Sequence, residues 1–371
     1  MSNMNPEKIL IISDEFPPEG GGAGVIAKRL VLDCAQAGHD VTLICGSNDT
    51  QREQVLPDEK QHFVRRITLL WVLSYKLRFA WIKPSGFDII ILNDFVSAYL
   101  AGLWFSKEVL ARCVIIVHGN DSHFVFQRNT HKHRWFRYTG CYLRALNHCR
   151  KVVAVSRYAR ELYLNYANGN VSPDKVVYCY AGISKSDFDT TLTLTREELN
   201  LPEESRVLFT ACRLIEAKGI FNQLELFGQL TRKIPNLYWL VAGEGEDKQR
   251  FKESVEKKGL QDRVRLLGFI PRKNLGAYYR MADIFWMLSV RDGETMGLVY
   301  LEAALFGTPS IGLKKYGVVE VIDEGKSGYF YADETFYRDV SHCLEHDMGD
   351  SCIRHADSYS SSDFASFLID Q

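Results

Sequence analysis

The sequence predicts an α/β fold of two successive parallel sheets, each covered by helices. Short apolar runs rich in Val, Ile and Leu alternate with amphipathic stretches of helix length, as strand–crossover–strand units do. The alternation stops once at a polar stretch near the middle and then starts again. With 371 residues, 46% hydrophobic and 25% charged, the chain is long enough for two ordinary cores.

In the first half the expected strands are Lys8–Ser13, Asp40–Cys45, Asp88–Leu92, Cys113–Val117, Lys151–Val155 and Lys175–Tyr178, with a helix over Val25–Gly38 after the first. In the second half they are Arg206–Ala211, Leu237–Ala242, Val264–Leu267, Ile284–Met287 and Pro309–Gly312, with helices over Gly219–Arg232 and Asp247–Lys258. Between the two series, Ala181-Gly182-Ile183-Ser184 followed by Asp187-Phe188-Asp189 reads as a linker, with a hinge near 183–200. The expected divisions are 1–185, 186–350 and a terminal segment 351–371 carrying Tyr359, Phe364, Phe367 and Leu368.

Nine cysteines, with no C-x-x-C pair and no ligand-like spacing with histidine, suggest reduced thiols and a cytoplasmic setting. No run is long and apolar enough for a signal-peptide core or a membrane span. The net charge of −1 conceals an asymmetry. Residues 1–185 carry 23 Lys+Arg against 16 Asp+Glu, or +7, and the remainder carries 22 against 30, or −8. Two acid-free stretches hold most of the positive excess: Lys60 to Lys83 and Ser122 to Lys151, both rich in aromatics such as Trp71, Trp81, Phe126, Trp135, Phe136 and Tyr138. That pattern describes either a solvated basic surface or a face resting on anionic lipid headgroups. No recognition motif for nucleic acid accompanies it.

Three constellations could carry chemistry. The first strand leads into Pro17-Pro18-Glu19-Gly20-Gly21-Gly22-Ala23-Gly24 and then a helix. Glycines let a backbone approach a ligand, and a helix N-terminus favours an anion. The spacing is neither G-x-G-x-x-G nor a P-loop. Next, Arg213 and Lys218 follow the first strand of the second series, where two fixed cations could hold a pyrophosphate and stabilise it as it leaves. The most specific element is Glu294-Thr295-Met296-Gly297-Leu298-Val299-Tyr300-Leu301-Glu302. Gly297 stands at the expected loop-to-helix junction, so Glu294 falls in the loop while the first N–H groups of the helix face a phosphate. Glu302 sits in a helix otherwise too apolar for the surface, and it calls for a partner.

Taken in order, these elements resemble the retaining GT-B glycosyltransferases of family 4, over nearly the whole chain. The resemblance implies two Rossmann-like domains with a cleft between them and a C-terminal helix returning to the N-terminal domain. It implies that Glu294 contacts the transferred sugar, Glu302 the ribose, and Arg213 and Lys218 the diphosphate. Met296, Gly297 and Leu298 become donor-binding positions, backbone groups of the last two meeting the distal phosphate. Phe269 and Ile270 would flank the base, and Gly21, Gly22 and Gly24 would approach the donor phosphates or the acceptor. His118, in His118-Gly119-Asn120-Asp121, matches the position of an active-site histidine opposite the donor sugar. One departure stands out: Lys314-Lys315-Tyr316-Gly317 occupies the place of a Gly-Gly turn, which leaves the donor sugar or that loop's contacts open.

The expected activity is therefore retaining transfer of a hexose-type sugar from a UDP- or GDP-linked donor. No cofactor and no essential metal are expected, Asp187-Phe188-Asp189 being read as a hinge element. The acceptor is expected to be lipid-linked or a polysaccharide at the inner face of a membrane, as in bacterial surface-polysaccharide, lipopolysaccharide or O-antigen assembly, with peripheral membrane contact and no nucleic acid. Competing readings are a GT-B phosphorylase or nucleotide-sugar isomerase, and a catalytically silent nucleotide-sugar binding protein.

Overall fold

The computed structural model describes residues 6–18, 21–47, 53–65, 71–119, 123–127, 130–291 and 293–370. They form two compact units, Met1–Gly182 with Ser361–Gln371, and Ile183–Ser360.

The first unit holds strands β1 (Lys8–Ser13), β2 (Asp40–Ser47), β3 (Gln61–Arg65), β4 (Ile89–Leu92), β5 (Cys113–Val117), β6 (Lys151–Ala154) and β7 (Val176–Tyr178). All pair in parallel, in the order β3-β2-β1-β4-β5-β6-β7. Its helices up to the linker are α1 (Gly22–Gln36), α2 (Trp71–Ile82), α3 (Phe95–Trp104), α4 (Lys107–Leu110), α5 (His131–Trp135), α6 (Tyr138–His148) and α7 (Arg157–Ala167). The central strands are apolar without interruption because both faces are covered: Ile9 to Ile12, Ile89 to Leu92 and Val114 to Val117 are all buried. The winding reverses between β1 and β4, and ligands of doubly wound sheets bind outside the strand ends at such a point.

Asp94 organises that point. It caps α3, its side chain accepting from the Ser97 N–H, and its other oxygen accepts from the Ser13 hydroxyl and from the Asp14 and Glu15 N–H groups. Burial pushes its carboxyl pKa up, and the backbone N–H donors oppose that rise. One carboxylate thus ties the β1–α1 loop to the start of α3.

The second unit repeats the plan with β8 (Arg206–Ala211), β9 (Leu237–Ala242), β10 (Val264–Gly268), β11 (Ile284–Met287), β12 (Ser310–Gly312) and β13 (Gly328–Phe330), in the order β10-β9-β8-β11-β12-β13. Its helices are α8 (Ile220–Leu230), α9 (Lys248–Lys257), α10 (Arg272–Met281), α11 (Leu298–Leu305), α12 (Phe336–Glu345) and α13 (Gly349–Asp357). In its core Trp239 meets Trp286 and Phe251 edge to face and Phe227 at a tilt, and the winding reverses between β8 and β11.

The terminal segment differs from expectation. Residues 351–360 stay in the second unit, because α13 packs on α11 and Ser360 bridges to Ile183. Only the last helix, α14 (Ser361–Ile369), belongs to the first unit, where it packs on α1. Arg150 donates to the Ile369 and Asp370 carbonyls, and Lys151 to those of Phe367 and Asp370. Two cations satisfy the open carbonyl end of a helix and oppose its negative dipole end. These two residues of the basic stretch therefore serve the protein's own backbone. Among the described residues no helix is long and apolar enough to cross a membrane, and all nine cysteines are free thiols.

Replacing Asp94 by Asn turns an acceptor oxygen into a donor facing N–H groups. We expect Asp94→Asn to lower unfolding free energy by about 1–3 kcal/mol, measured by urea denaturation.

Candidate active site

In the second unit the chemistry gathers at the reversal between β8 and β11. After β8, Arg213 is exposed, and its guanidinium has no partner among the described residues. Lys218 ends a short 3-10 turn (Glu216–Lys218) and Gly219 opens α8 at φ 78. A side chain on Gly219 would collide with the Leu288 carbonyl just beyond β11, so only glycine lets the two loops touch here. That contact places the Lys218 ammonium on the Glu294 carboxylate, in an ion pair with both side chains largely buried.

The Glu294 loop is held from two sides. The Glu294 carbonyl accepts from the Gly317 N–H, and a Cβ on Gly317 would strike the Thr295 carbonyl. The Tyr316 hydroxyl donates to the Val290 carbonyl at 3.2 Å. Gly297, at φ 80, turns the chain into α11, which has neither an N-cap side chain nor an acid in its first turn. The N–H groups at Leu298 and Val299 are open to an anion there. Met296 is only 3% exposed, so this expected donor-binding position has its side chain in the core.

Glu302 also departs from expectation. Its carboxylate is 1% exposed, one oxygen accepting from Arg272 and the other from the Tyr279 hydroxyl at 2.9 Å. Arg272 faces Asp187 as well, at 3.7 Å, and stacks over Phe188. Burial works against the Arg272 charge, but Glu302 and Asp187 outweigh it and leave its pKa raised. Glu302 thus sits inside a charged cluster joining the linker, α10 and α11, rather than open to a ribose. The partner its apolar helix called for is Arg272.

Phe269 follows β10 and is 70% exposed, with Ile270 half-buried beside it. Two glycines that the sequence reading passed over shape the same edge. Gly243 and Gly245, after β9, approach the carbonyls of Cys212 and Leu214 too closely for any side chain. Their signal was Gly243-Glu244-Gly245 directly after a strand. The linker pair Asp187 and Asp189 is committed elsewhere, Asp187 to Arg272 and Asp189 to the Thr191 and Leu192 N–H groups. Among the described residues no three His, Cys, Asp or Glu side chains group as a metal site would require.

In the first unit, helix α1 starts at Gly22, three residues before the expected Val25. Gly24 packs against the backbone of Glu15 and Phe16, Gly22 meets open space, and the Gly21 N–H donates to Glu15. His118, after β5, donates from Nε2 to the Asn93 carbonyl at 2.7 Å. A carbonyl can only accept, so Nε2 carries the proton. Asn93 in turn donates to the Ser13 hydroxyl and the Ala23 carbonyl, which joins His118 to the glycine-rich loop. Glu19 and Gly20 of that loop, and Asn120 and Asp121 after His118, lie outside the described residues.

Comparison with known proteins extends this picture. The model for "Glycosyltransferase Family 4" matches residues 20–187, and that for "Glycosyl transferases group 1" matches 193–341. N-acetyl-alpha-D-glucosaminyl L-malate synthase of Bacillus anthracis is 24% identical over 326 residues, covering 84% of this chain and 81% of its own. Alpha-monoglucosyldiacylglycerol synthase of Streptococcus pneumoniae is 23% identical, covering 88% of this chain and 76% of its own. Among solved structures, Anabaena HepE in complex with UDP and glucose superposes with a TM-score of 0.72 at 16% identity, covering 98% of each chain. With one family model on each half and the same pair of sheets, the chain belongs to the family 4 glycosyltransferases of the GT-B fold.

Proposed function

We propose that this glycosyltransferase moves a hexose-type sugar from a UDP- or GDP-linked donor to a lipid-linked or polysaccharide acceptor, with retention of configuration and without an essential metal. The observation that carries the reading is the Lys218–Glu294 pair at the reversal of the second sheet, beside an exposed Arg213 and an uncapped helix N-terminus. Such a set is suited to a diphosphate with a sugar beyond it. Support for the nucleotide comes from HepE, whose structure holds UDP and glucose. Support for a lipid acceptor comes from the glucosyldiacylglycerol synthase.

In this reading the diphosphate leaves as the anomeric carbon gains oxocarbenium character. Arg213, Lys218 and the start of α11 offset the charge that develops on the leaving oxygen. Lys218 has three N–H donors, so pairing with Glu294 leaves others for phosphate. The acceptor hydroxyl attacks on the leaving-group face, forming the new C–O bond as the old one breaks, and its proton passes to a donor phosphate oxygen. Glu294 orients the sugar, Phe269 and Ile270 flank the base, and the N–H groups at Gly297 and Leu298 meet the distal phosphate. Within the first unit, His118 is held through its ring by Asn93, and it and the backbone at Gly21, Gly22 and Gly24 are that unit's candidate ligand-facing groups. Glu302 is given no ligand role; it braces α10 against α11.

Titration calorimetry with UDP, GDP, ADP and TDP, all in EDTA, should show binding of UDP or GDP. Arg213→Ala should weaken it by roughly tenfold or more, as loss of a charge-assisted phosphate contact does. Binding that requires added manganese would overturn metal independence. Glu294→Gln keeps the shape and removes the charge facing Lys218 and the sugar, so kcat should fall on the order of 100-fold. Proton NMR of the wild-type product should show the donor's anomeric configuration. Nucleotide binding with no turnover by wild type would point to a silent binding protein, unchanged turnover in the variant would remove Glu294 from the reaction, and an inverted product would reject the mechanism.

A further inference from the structure

Helix α2 is apolar on the side where a surface helix should be charged. At about 3.6 residues per turn, Tyr75 and Phe79 fall on one side and are buried, Phe79 packing on Trp104 and Phe105. The opposite side carries Leu73, Leu77 and Trp81, exposed by 46%, 67% and 65%. Ala80 lies on that outer face and Lys76 at its flank, and both are exposed. Large apolar side chains exposed together on the outer face of a surface helix suit a further apolar contact, such as a membrane boundary. Alpha-helix α2 has only one of its sides covered by its own unit.

The charges within the helix and beside it in sequence share one sign. Lys76 and Lys83 are exposed and have no acidic partner among the described residues, while Arg78 lies over the Trp81 ring at 5.4 Å. No acid occurs between Lys60 and Asp88. His62 supports Trp81 edge-on at 5.1 Å, so the indole is braced while most of it stays open. The twelve residues of α2 are too few to span a bilayer but suit a helix lying in its plane.

We infer that the outer face of α2 docks this protein on an anionic bilayer. Leu73, Leu77 and Trp81 enter the boundary between headgroups and chains, and Lys76 and Lys83 meet lipid phosphates. Lysine stems reach along apolar surface while the ammonium stays at headgroup level, and tryptophan favours the same zone. The inference deepens the membrane-side acceptor of the proposed function, and it rests on that reading only for what the docking is for.

The test uses the full chain and sedimentation with two vesicle compositions, phosphatidylcholine alone and phosphatidylcholine with about one third phosphatidylglycerol. Wild type should sediment with the anionic vesicles, and less so as salt is raised. The triple variant Leu73→Gln, Leu77→Gln, Trp81→Gln should bind them roughly tenfold more weakly or worse. Its melting temperature and nucleotide affinity should match wild type, because the three side chains are exposed. Lys76→Glu with Lys83→Glu should lose the preference for anionic vesicles. Wild type that ignores both vesicle types, or a triple variant that binds as well as wild type, overturns the inference. So does a wild-type oligomer that the triple variant converts to monomer, which would make the face a protein interface. Lost sugar transfer to a soluble acceptor with vesicle binding intact would instead sink the catalytic reading alone.

Discussion

The second unit depends on one close approach of backbones, which the Lys218–Glu294 pair crowns. Two loops from strands on either side of a sheet reversal can meet only where no side chain separates them. Gly219 supplies that against Leu288, and between the neighbouring loops after β11 and β12 Gly317 does the same against Thr295. Any larger residue at either position would force the loops apart by the width of a side chain. The ammonium and carboxylate would then separate, and with them the alignment of Arg213, Lys218 and the start of α11. Precision here comes from packing. The ion pair reports that precision more than it creates it, since the desolvation of two charges consumes much of their attraction.

A second charged cluster, Glu302 with Arg272, Asp187 and Tyr279, does different work. It ties the first residues of the unit to two of its helices, and Phe188 beside it is buried against Tyr279 and Phe306. Buried ionic clusters contribute little net stability compared with apolar packing, but breaking one leaves an uncompensated charge. The cluster therefore acts as a register pin. Phe188 supplies burial, and the charges dictate which residue faces which.

Most of the fold was legible because parallel strands covered on both faces read as unbroken apolar runs. β1, β5, β8, β9 and β11 lie where those runs lie. Two of the four edge strands, β3 and β13, were not legible, whereas the edge strands β7 and β10 were. Gln61-His62-Phe63-Val64-Arg65 is half polar, and Gly328-Tyr329-Phe330 is three residues long, so neither shows the run of a central strand. The start of α1 was missed because glycine is a poor helix former. The structure overrides that propensity, since Gly24 packs on the Phe16 backbone only if the helix has already begun. At the site, Arg213, Lys218 and Glu294 could be read because charge at a strand end is a local feature. Arg272 could not. It lies 30 residues from Glu302 in an unremarkable basic helix start, and only the packing of α10 on α11 brings them together.

Tyr316 shows how one local departure can be both costly and useful. It adopts φ 60, a left-handed conformation that costs a residue other than glycine about 1–2 kcal/mol. Family likeness places a glycine turn here, which would avoid that cost. A tyrosine persists in such a conformation only where its surroundings over-determine it, and two contacts of this turn do so. The hydroxyl holds the Val290 carbonyl, and the N–H of the next residue, Gly317, holds the Glu294 carbonyl. Together they clamp both ends of the loop that presents Glu294. A glycine could supply the backbone bond but not the hydroxyl. The strain at Tyr316 is thus coupled to the geometry of Glu294, and the turn that looked like a defect in the family pattern becomes part of what aims its carboxylate.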